Sequence, residues 1–160
     1  METAVQIRPA RPGDEKTILS LIQQLAAYEK LSHEVVATPE ALERTLFGTP
    51  SYAECIIAEV SGKAAGFAIF FHNYSTFLTR PGIYLEDLFV LPEFRGTGIG
   101  KLLLQHLAKL AVDRKCGRLD WAVLKWNEPA IQFYEKIGSV RMEDWVGYRL
   151  TGDALKNFAH

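Results

Sequence analysis

The sequence contains no long apolar run and almost no net charge. No apolar stretch reaches the length of a membrane-spanning helix, and the first residues lack the basic-then-apolar layout of a signal peptide. The 160 residues carry a formal net charge of −1, which leaves no basic field for nucleic acid or for an anionic membrane. We therefore expect a cytoplasmic protein that binds neither nucleic acid nor membranes.

Cysteine and histidine are scarce as well. Cys55 and Cys116 stand singly in apolar surroundings, without the paired spacing of a disulfide framework or a zinc site. We expect both to be buried structural thiols. The 4 histidines are scattered along the chain, so we assign them no catalytic role and expect no metal.

The first half of the chain predicts a meander of strands with two helices. Periodicity indicates a short strand in "VQIR", a helix capped by Asp14, and a second helix that begins with Thr38 as N-cap and Pro39 after it. Two β-rich runs on either side of "SGK" predict a hairpin. The next strand is predicted in "IYLEDLFV".

The second half predicts a strand-helix-strand-helix unit. Apolar residues recur with helical period between Gly98 and Lys115. A strand is expected in "GRLDWAVL", and then a helix that begins after its cap Asn127 and stops at Gly138. A last strand is predicted within "WVGYRLTG", before a short terminal helix. With 48% hydrophobic residues and no long linker, we expect one α/β domain over residues 1–160.

A glycine-rich turn, "EFRGTGIGKLL", opens the central helix. Helix N-termini present N–H groups that suit phosphate oxygens, and glycine lets the backbone approach such a ligand closely. A nucleoside triphosphate loop would need Gly at 95 and Ser or Thr at 102, where the sequence has Arg95 and Leu102. A dinucleotide motif would need GxGxxG, and the spacing here is GxGxG. The turn therefore predicts a different class of anion site.

The approach to this turn carries a resemblance to a known family. A strand, a valine and proline, and then an arginine precede the three glycines, as in the acetyl-CoA pyrophosphate loop of the GNAT acetyltransferase superfamily. The residues that match are Val90, Pro92, Arg95, Gly96, Gly98 and Gly100.

The flanking motifs narrow the resemblance. "AAYEKL", "YLEDLFV" and "WNEPAIQFYEKIG", in this order, resemble the diamine and thialysine N-acetyltransferases, the spermidine/spermine-type branch of the superfamily. The resemblance implies a single-domain GNAT-like fold with a mixed, mostly antiparallel twisted sheet flanked by helices. It also implies acetyl-CoA as co-substrate, a small cationic amine as substrate, and a homodimer.

The resemblance assigns the co-substrate to a strand end, the glycine turn and the start of a later helix. Pantetheine would lie beside the strand as an added strand does, where a backbone N–H could polarise the acetyl carbonyl. For Asn127, plain helix capping is an alternative that is compatible with this role. The residues so assigned are Leu88, Phe89, Val90, Arg95, Gly96, Thr97, Gly98, Ile99, Gly100, Lys101, Asn127, Glu128 and Pro129.

Two residues are expected to move protons. A lysine-like amine is mostly protonated at neutral pH, and the resemblance assigns Glu86 to accept its proton, directly or through a water. Tyr134 would donate to the departing thiolate; a packing tyrosine is the alternative. Since side chains alternate along a strand, we expect Glu86 and Asp87 on opposite faces, with the role of Asp87 undetermined.

Carboxylates and aromatic rings are expected to recognise the amine, because both attract a cation. The resemblance points to Tyr28, Glu29, Asp120 and Trp121, together with Glu86. By periodicity alone, Trp121 would more often be a core residue.

The loop "YSTFLTRPG" has no carboxylate and carries Arg80, whereas polyamine enzymes have a further acidic residue there. It is more similar to the thialysine-type relatives. We expect acetyl transfer to a thialysine-like or lysine-like amino acid, ornithine or a diamine. Acetylation of a protein amino group, and binding of acetyl-CoA without turnover, are the alternatives.

Overall fold

The strands of the sheet follow one another in chain order. The computed structural model describes residues 4–160 and contains a sheet of order β1-β2-β3-β4-β5. The chain divides into two compact units, one of the described residues up to Ala122 and one of Val123–His160. The sheet and the helices α1, α2 and α3 belong to the first unit, and α4 and α5 to the second. The strands are β1 Val5–Pro9, β2 Glu54–Val60, β3 Lys63–Ser75, β4 Arg80–Val90 and β5 Leu119–Trp121, and the helices are α1 Glu15–Tyr28, α2 Pro39–Phe47, α3 Ile99–Asp113, α4 Glu128–Lys136 and α5 Gly152–Phe158.

The predicted meander is confirmed. Strands β1 to β4 pair antiparallel in succession, and the β2-β3 hairpin turns at Ser61 and Gly62, which have φ of 51° and 75°. Strand β4 begins at Arg80, so the end of the polar loop before "IYLEDLFV" already belongs to the strand. After β4 the chain crosses over through α3, and β5 returns parallel to β4. The sheet is therefore mixed and mostly antiparallel, as expected.

Helices cover the two faces of this sheet with apolar side chains. Ile18 and Leu21 of α1 and Leu42 of α2 form one buried cluster with Phe67 and Phe89 of the sheet. Leu103 and Leu107 of α3 are fully buried as well. Burying one such side chain contributes roughly 1.5–3 kcal/mol, so the sheet strands that carry the candidate site are held in place from both sides.

Strand β4 contains an irregularity at Glu86. Ile69 of β3 pairs with Asp87, and the next residue, Phe70, pairs with Leu85, so Glu86 is an extra residue in β4. Such a β-bulge bends the strand and interrupts the alternation of its side chains. The placement of Glu86 and Asp87 on opposite faces stays a prediction, because the bulge interrupts the regular alternation on which that prediction was based.

The helix caps were predicted with mixed success. The Thr38 side chain accepts a hydrogen bond from the Ala41 N–H at 3.1 Å, which confirms the N-cap of α2. Asp14 precedes α1 but its side chain makes no cap bond. Its carboxylate accepts instead from the Arg8 guanidinium and the Arg11 N–H. Both donors lie outside α1. They take the place of the helix N–H groups that an N-cap side chain would otherwise accept from.

Two strand predictions and one burial prediction are corrected. Within "GRLDWAVL" only Leu119–Trp121 forms a strand, because β4 offers it a partner over three residue pairs. Residues 139–151 contain neither helix nor strand, so no strand forms within "WVGYRLTG"; the short terminal helix is confirmed as α5. Cys55 is buried, whereas Cys116 is only half-buried, because it follows the end of α3 and lies outside the helix face that packs on the sheet.

Candidate active site

The glycine turn adopts the backbone that its composition suggests. Gly96 and Gly98 have φ of 77° and 85°, a left-handed conformation that costs other residues roughly 1–2 kcal/mol. A Cβ at either position would meet no atom within 4 Å, so glycine is needed for backbone conformation and leaves open space above the turn. Gly100 differs, since its φ is not positive and a Cβ there would make ordinary contacts with Val90 and Leu88 at 3.8 and 3.9 Å.

The start of α3 is suited to an anion. Gly98 is the N-cap residue, no side chain caps the helix, and its first turn contains no acidic residue. The first N–H groups of a helix lack intrahelical acceptors and carry partial positive charge. Here those groups belong to Ile99, Gly100 and Lys101, which follow the open turn directly. The hydroxyl of Thr97 donates to the Phe94 carbonyl and so ties the turn to the residues before it.

Arg95 joins the turn to the end of α1. Its Nε donates to the Val90 carbonyl at 3.0 Å. Its guanidinium carbon lies 4.7 Å from the ring centroid of Tyr28 and 5.2 Å from that of Phe89. A residue predicted to bind phosphate is thus in contact with Tyr28, which was predicted to bind the amine.

Several carboxyl side chains form a cluster near the end of α1 and the β-bulge of β4. Asp87 is half-buried, and burial raises its pKa to about 6, with further contributions from the carboxylates of Glu86 and Glu29. Glu29 directly follows α1, and burial raises its pKa too. Desolvation and neighbouring negative charge both disfavour ionisation. The same two conditions make this group a strong attractor for a cation.

The group extends to β5 through Tyr84. Burial raises the pKa of Tyr84, and the charges of Glu86 and Asp120 raise it further. Tyr84 pairs with Asp120 across the parallel β4-β5 ladder, and Asp120 is also 3.1 Å from the Arg118 Nε. Trp121, the next residue of β5, is half-buried. The first unit therefore brings together Glu29, Glu86, Asp87 and Asp120.

Sequence reasoning assigned no role to Asp87 and did not include Tyr84. The adjacent acidic residues of "YLEDLFV" were the only available signal for Asp87, because burial and the bulge depend on pairing with β3. Glu86 itself is exposed, in keeping with its position as the extra residue of the bulge.

The second unit carries the remaining predicted residues on α4. Asn127 precedes this helix, and Glu128 and Pro129 form its first turn. Tyr134 is half-buried, with its ring centroid 5.7 Å from that of Phe133.

The backbone of Tyr134 is fixed by the helix ending. The N–H of Ser139 donates to the Tyr134 carbonyl at 3.2 Å, and that of Gly138 to Glu135 at 3.1 Å. With Gly138 at φ 95°, this is a Schellman ending, and it confirms Gly138 as the helix stop.

Residues 4–160 contain no cluster of His, Cys, Asp or Glu that could hold a metal ion. Nor does any helix in that range have the length and hydropathy needed to cross a membrane.

Comparison with known proteins decides the family. The profile of the acetyltransferase (GNAT) family matches residues 21–138, which include the bulge, the glycine turn and α4. The chain belongs to the GNAT acetyltransferase family. It is accordingly an N-acetyltransferase, and the expected GNAT fold is confirmed.

Relatives within this family match over nearly the whole chain. Thialysine N-epsilon-acetyltransferase of Bos taurus is 38% identical over 97% of both chains. L-ornithine N5-acetyltransferase of Arabidopsis thaliana is 34% identical over 94% of this chain and 86% of its own length. Among solved structures, an integron cassette protein from the mobile metagenome of V. cholerae is 28% identical, with a TM-score of 0.82 over 97% of each chain.

Proposed function

We propose that this GNAT protein transfers the acetyl group of acetyl-CoA to a primary amine of a small cationic substrate. Thialysine-like or lysine-like amino acids and ornithine are the preferred class, and diamines and polyamines are poorer substrates. The observation that carries this proposal is a cluster of carboxyl side chains in the first unit, formed by Glu29, Glu86, Asp87 and Asp120. The names of the relatives, which act on thialysine and on L-ornithine, support the same class.

Acetyl-CoA fits the glycine turn and the start of α3. The left-handed glycines leave open space, and the N–H groups of Ile99, Gly100 and Lys101 would bind pyrophosphate oxygens. The Arg95 guanidinium and the Lys101 ammonium supply positive charge beside them. Pantetheine would follow the backbone of Leu88, Phe89 and Val90. The thioester supplies the activated acetyl group.

In the proposed reaction the neutral amine attacks the acetyl carbonyl carbon and the carbon–sulfur bond breaks. Glu86 accepts the proton that the amine nitrogen loses, directly or through a water. Tyr134 donates its hydroxyl proton to the departing thiolate, since an ordinary tyrosine is protonated at neutral pH. Support for Tyr134 is its place in the motif "QFYEKIG", and support for Glu86 is its exposed position in the bulge.

A second positive charge on the substrate would be held by the half-buried carboxylates. A cation beside Asp87 and Glu29 offsets the desolvation that raises both pKa values, and also the repulsion that raises the pKa of Asp87 further. Tyr28 adds an aromatic face at the end of α1, and Asp120 and Trp121 add a carboxylate and a ring on β5.

The loop before β4 favours an amino acid over a polyamine. Residues 76–79 of this loop include no carboxylate, and Arg80 begins the strand. The Ser75 hydroxyl accepts from the Leu78 N–H at 3.2 Å, which fixes the loop start. A loop without negative charge tolerates the α-carboxylate of an amino acid, whereas an acidic loop would repel it.

We further propose that residues 1–160 act as one N-acetyltransferase domain, a homodimer in the cytoplasm. The family match spans both units, and free thiols such as Cys55 and Cys116 are typical of a reducing compartment.

The experiment is an amine panel with acetyl-CoA, followed by thiol release. Thialysine, lysine, ornithine, spermidine and the neutral monoamine benzylamine should be compared, with a lysine-containing peptide as the protein-like acceptor. We expect amine-dependent thiol release with the cationic amino acids. Release only with the peptide would favour a protein acetyltransferase, and tight acetyl-CoA binding without release would favour a binding module.

A further inference from the structure

An ion pair between Arg118 and Asp120 lies at the last strand of the sheet. The Arg118 Nε is 3.1 Å from an Asp120 carboxylate oxygen, and the two side chains are 49 and 38% exposed. The Arg118 carbonyl accepts from the Ile83 N–H at 3.0 Å, which fixes the backbone of Arg118 against β4. The pair is therefore held in position and open to a ligand.

This ion pair adjoins the cluster of carboxyl side chains. Asp120 lies opposite Tyr84 in the parallel β4-β5 ladder, and the Tyr84 ring packs on Phe71 of β3, with ring centroids 5.3 Å apart. The charges of Glu86 and Asp120 both raise the pKa of Tyr84, so both carboxylates lie near the Tyr84 hydroxyl. A substrate amine beside Glu86 therefore has the ion pair as a near neighbour.

The spacing along the sheet suits an amino acid whose side chain ends in an amine. Asp87, which follows Glu86, pairs with Ile69, and Tyr84 pairs with Phe71, two residues further along β3, or roughly 7 Å. The four-carbon stem of a lysine-type side chain separates its terminal nitrogen from its α-carbon by roughly 6 Å when extended. An amine at Glu86 thus brings the α-carbon close to Tyr84.

The space beyond Tyr84 is taken by Asn73. Gly82 has no side chain, and a Cβ at this position would collide with the Asn73 Oδ1. The half-buried Asn73 therefore leans from β3 over Gly82. A substrate that extends further in this direction would meet the Asn73 side chain, which favours a compact amino acid over a long polyamine.

We propose that Arg118 and Asp120 bind the α-amino acid head of the substrate, Arg118 its carboxylate and Asp120 its ammonium. The inference rests on the proposed function and names the residues that select the substrate class. A guanidinium beside a carboxylate matches the two opposite charges of a zwitterion. Since a guanidinium has five N–H donors, Arg118 can donate to Asp120 and to the substrate carboxylate together. A diamine would instead place a second ammonium near Arg118, which repels it.

Matched substrates test this contact on the wild-type enzyme. Thialysine should be compared with its amide, in which the carboxylate charge is removed, and with bis(2-aminoethyl) sulfide, the diamine that lacks the carboxylate altogether. Thiol release with acetyl-CoA gives kcat/KM for each. We expect the value for thialysine to exceed both others by about tenfold or more, mainly through KM, because a charge-assisted hydrogen bond to Arg118 is lost.

Variants of Arg118 should remove this preference. In Arg118→Gln, kcat/KM for thialysine should fall about tenfold or more, whereas the value for the sulfide diamine should not fall. Arg118→Lys keeps the charge and should retain part of the preference, because an ammonium lacks the fork of a guanidinium. Lys109→Gln removes one positive charge from an exposed ion pair with Asp113; as the control, it should leave both values unchanged.

The outcomes separate this inference from the proposed function. Equal kcat/KM values for thialysine and its amide in the wild type would overturn the binding of the carboxylate by Arg118 and leave acetyl transfer standing. The same conclusion would follow if Arg118→Gln lowered the values for thialysine and the sulfide diamine equally, or changed neither. A wild-type enzyme that releases thiol with none of these amines would overturn both proposals.

Discussion

Asp87 offers the sharpest test of the cluster of carboxyl side chains, because the environment of Asp87 determines how the free energy of unfolding depends on pH. Burial and the neighbouring carboxylates raise its pKa from 3.8 to about 6. Between these two values the unfolded chain has lost the proton and the folded chain keeps it, so the free energy of unfolding falls as pH rises. The difference between the two pKa values corresponds to at most about 3 kcal/mol in the free energy of unfolding, and this contribution is lost as pH rises through about 6.

Asp87→Asn removes this titration while keeping the side-chain shape. Between about pH 4 and pH 7 the wild type should lose up to about 3 kcal/mol in free energy of unfolding that the variant does not lose, so the difference between variant and wild type should rise by that amount. Denaturant unfolding at several pH values measures this difference.

Asp113→Asn is the control, because Asp113 is exposed and pairs with Lys109 at the surface, where such a pair contributes little. Parallel pH profiles for wild type and Asp87→Asn would refute the assignment of a perturbed carboxyl to Asp87.

Three further predictions concern binding and catalysis. Gly98→Leu should abolish the rise in Tm that acetyl-CoA gives by mass action. Gly62→Leu, with a similar φ in the hairpin turn, is the control and should keep this rise. A rise retained in Gly98→Leu would show that the phosphates bind at another site. Tyr134→Phe should lower kcat about a hundredfold with little change in KM for acetyl-CoA, and Tyr52→Phe should be neutral; near-normal turnover would leave Tyr134 a packing residue. Glu29→Gln should raise KM for cationic amines and spare benzylamine, and Glu34→Gln, at an exposed site, should do neither; equal effects on all amines would argue against charge recognition by Glu29.

Local sequence signals predicted the elements that local interactions determine. The Thr38 cap, the "SGK" turn and the Gly138 stop depend on hydrogen bonds and φ values within a few residues. The glycine turn before α3 is of the same kind, because left-handed backbone at Gly96 and Gly98 is a property of single residues. These features were accordingly predicted with their correct positions.

Features that depend on distant partners were missed. The bulge at Glu86 arises from the register between β3 and β4, which no spacing within "YLEDLFV" reveals. The raised pKa of Asp87 likewise depends on burial and on the carboxylate of Glu29, which is distant in sequence and directly follows α1.

The strand expected in "WVGYRLTG" failed for a related reason. The apolar and other residues do alternate, but a strand also needs a neighbouring strand to pair with, and alternation within the segment does not reveal whether one is present. Asp14 shows the same limit at smaller scale, since Arg8, outside the helix, takes its carboxylate.

The central claim is the substrate class, and a competition assay tests it most directly. Thialysine and spermidine should be supplied together at equal concentration with limiting acetyl-CoA and fixed ionic strength, since salt alone screens charge pairs. Mass spectrometry of the two products gives the ratio of their kcat/KM values. The cluster of carboxyl side chains around Asp87, together with the absence of acidic residues from the loop before β4, predicts that thialysine is acetylated in preference to spermidine. A ratio of about tenfold or more in favour of spermidine would contradict the account and assign the protein to polyamine acetylation.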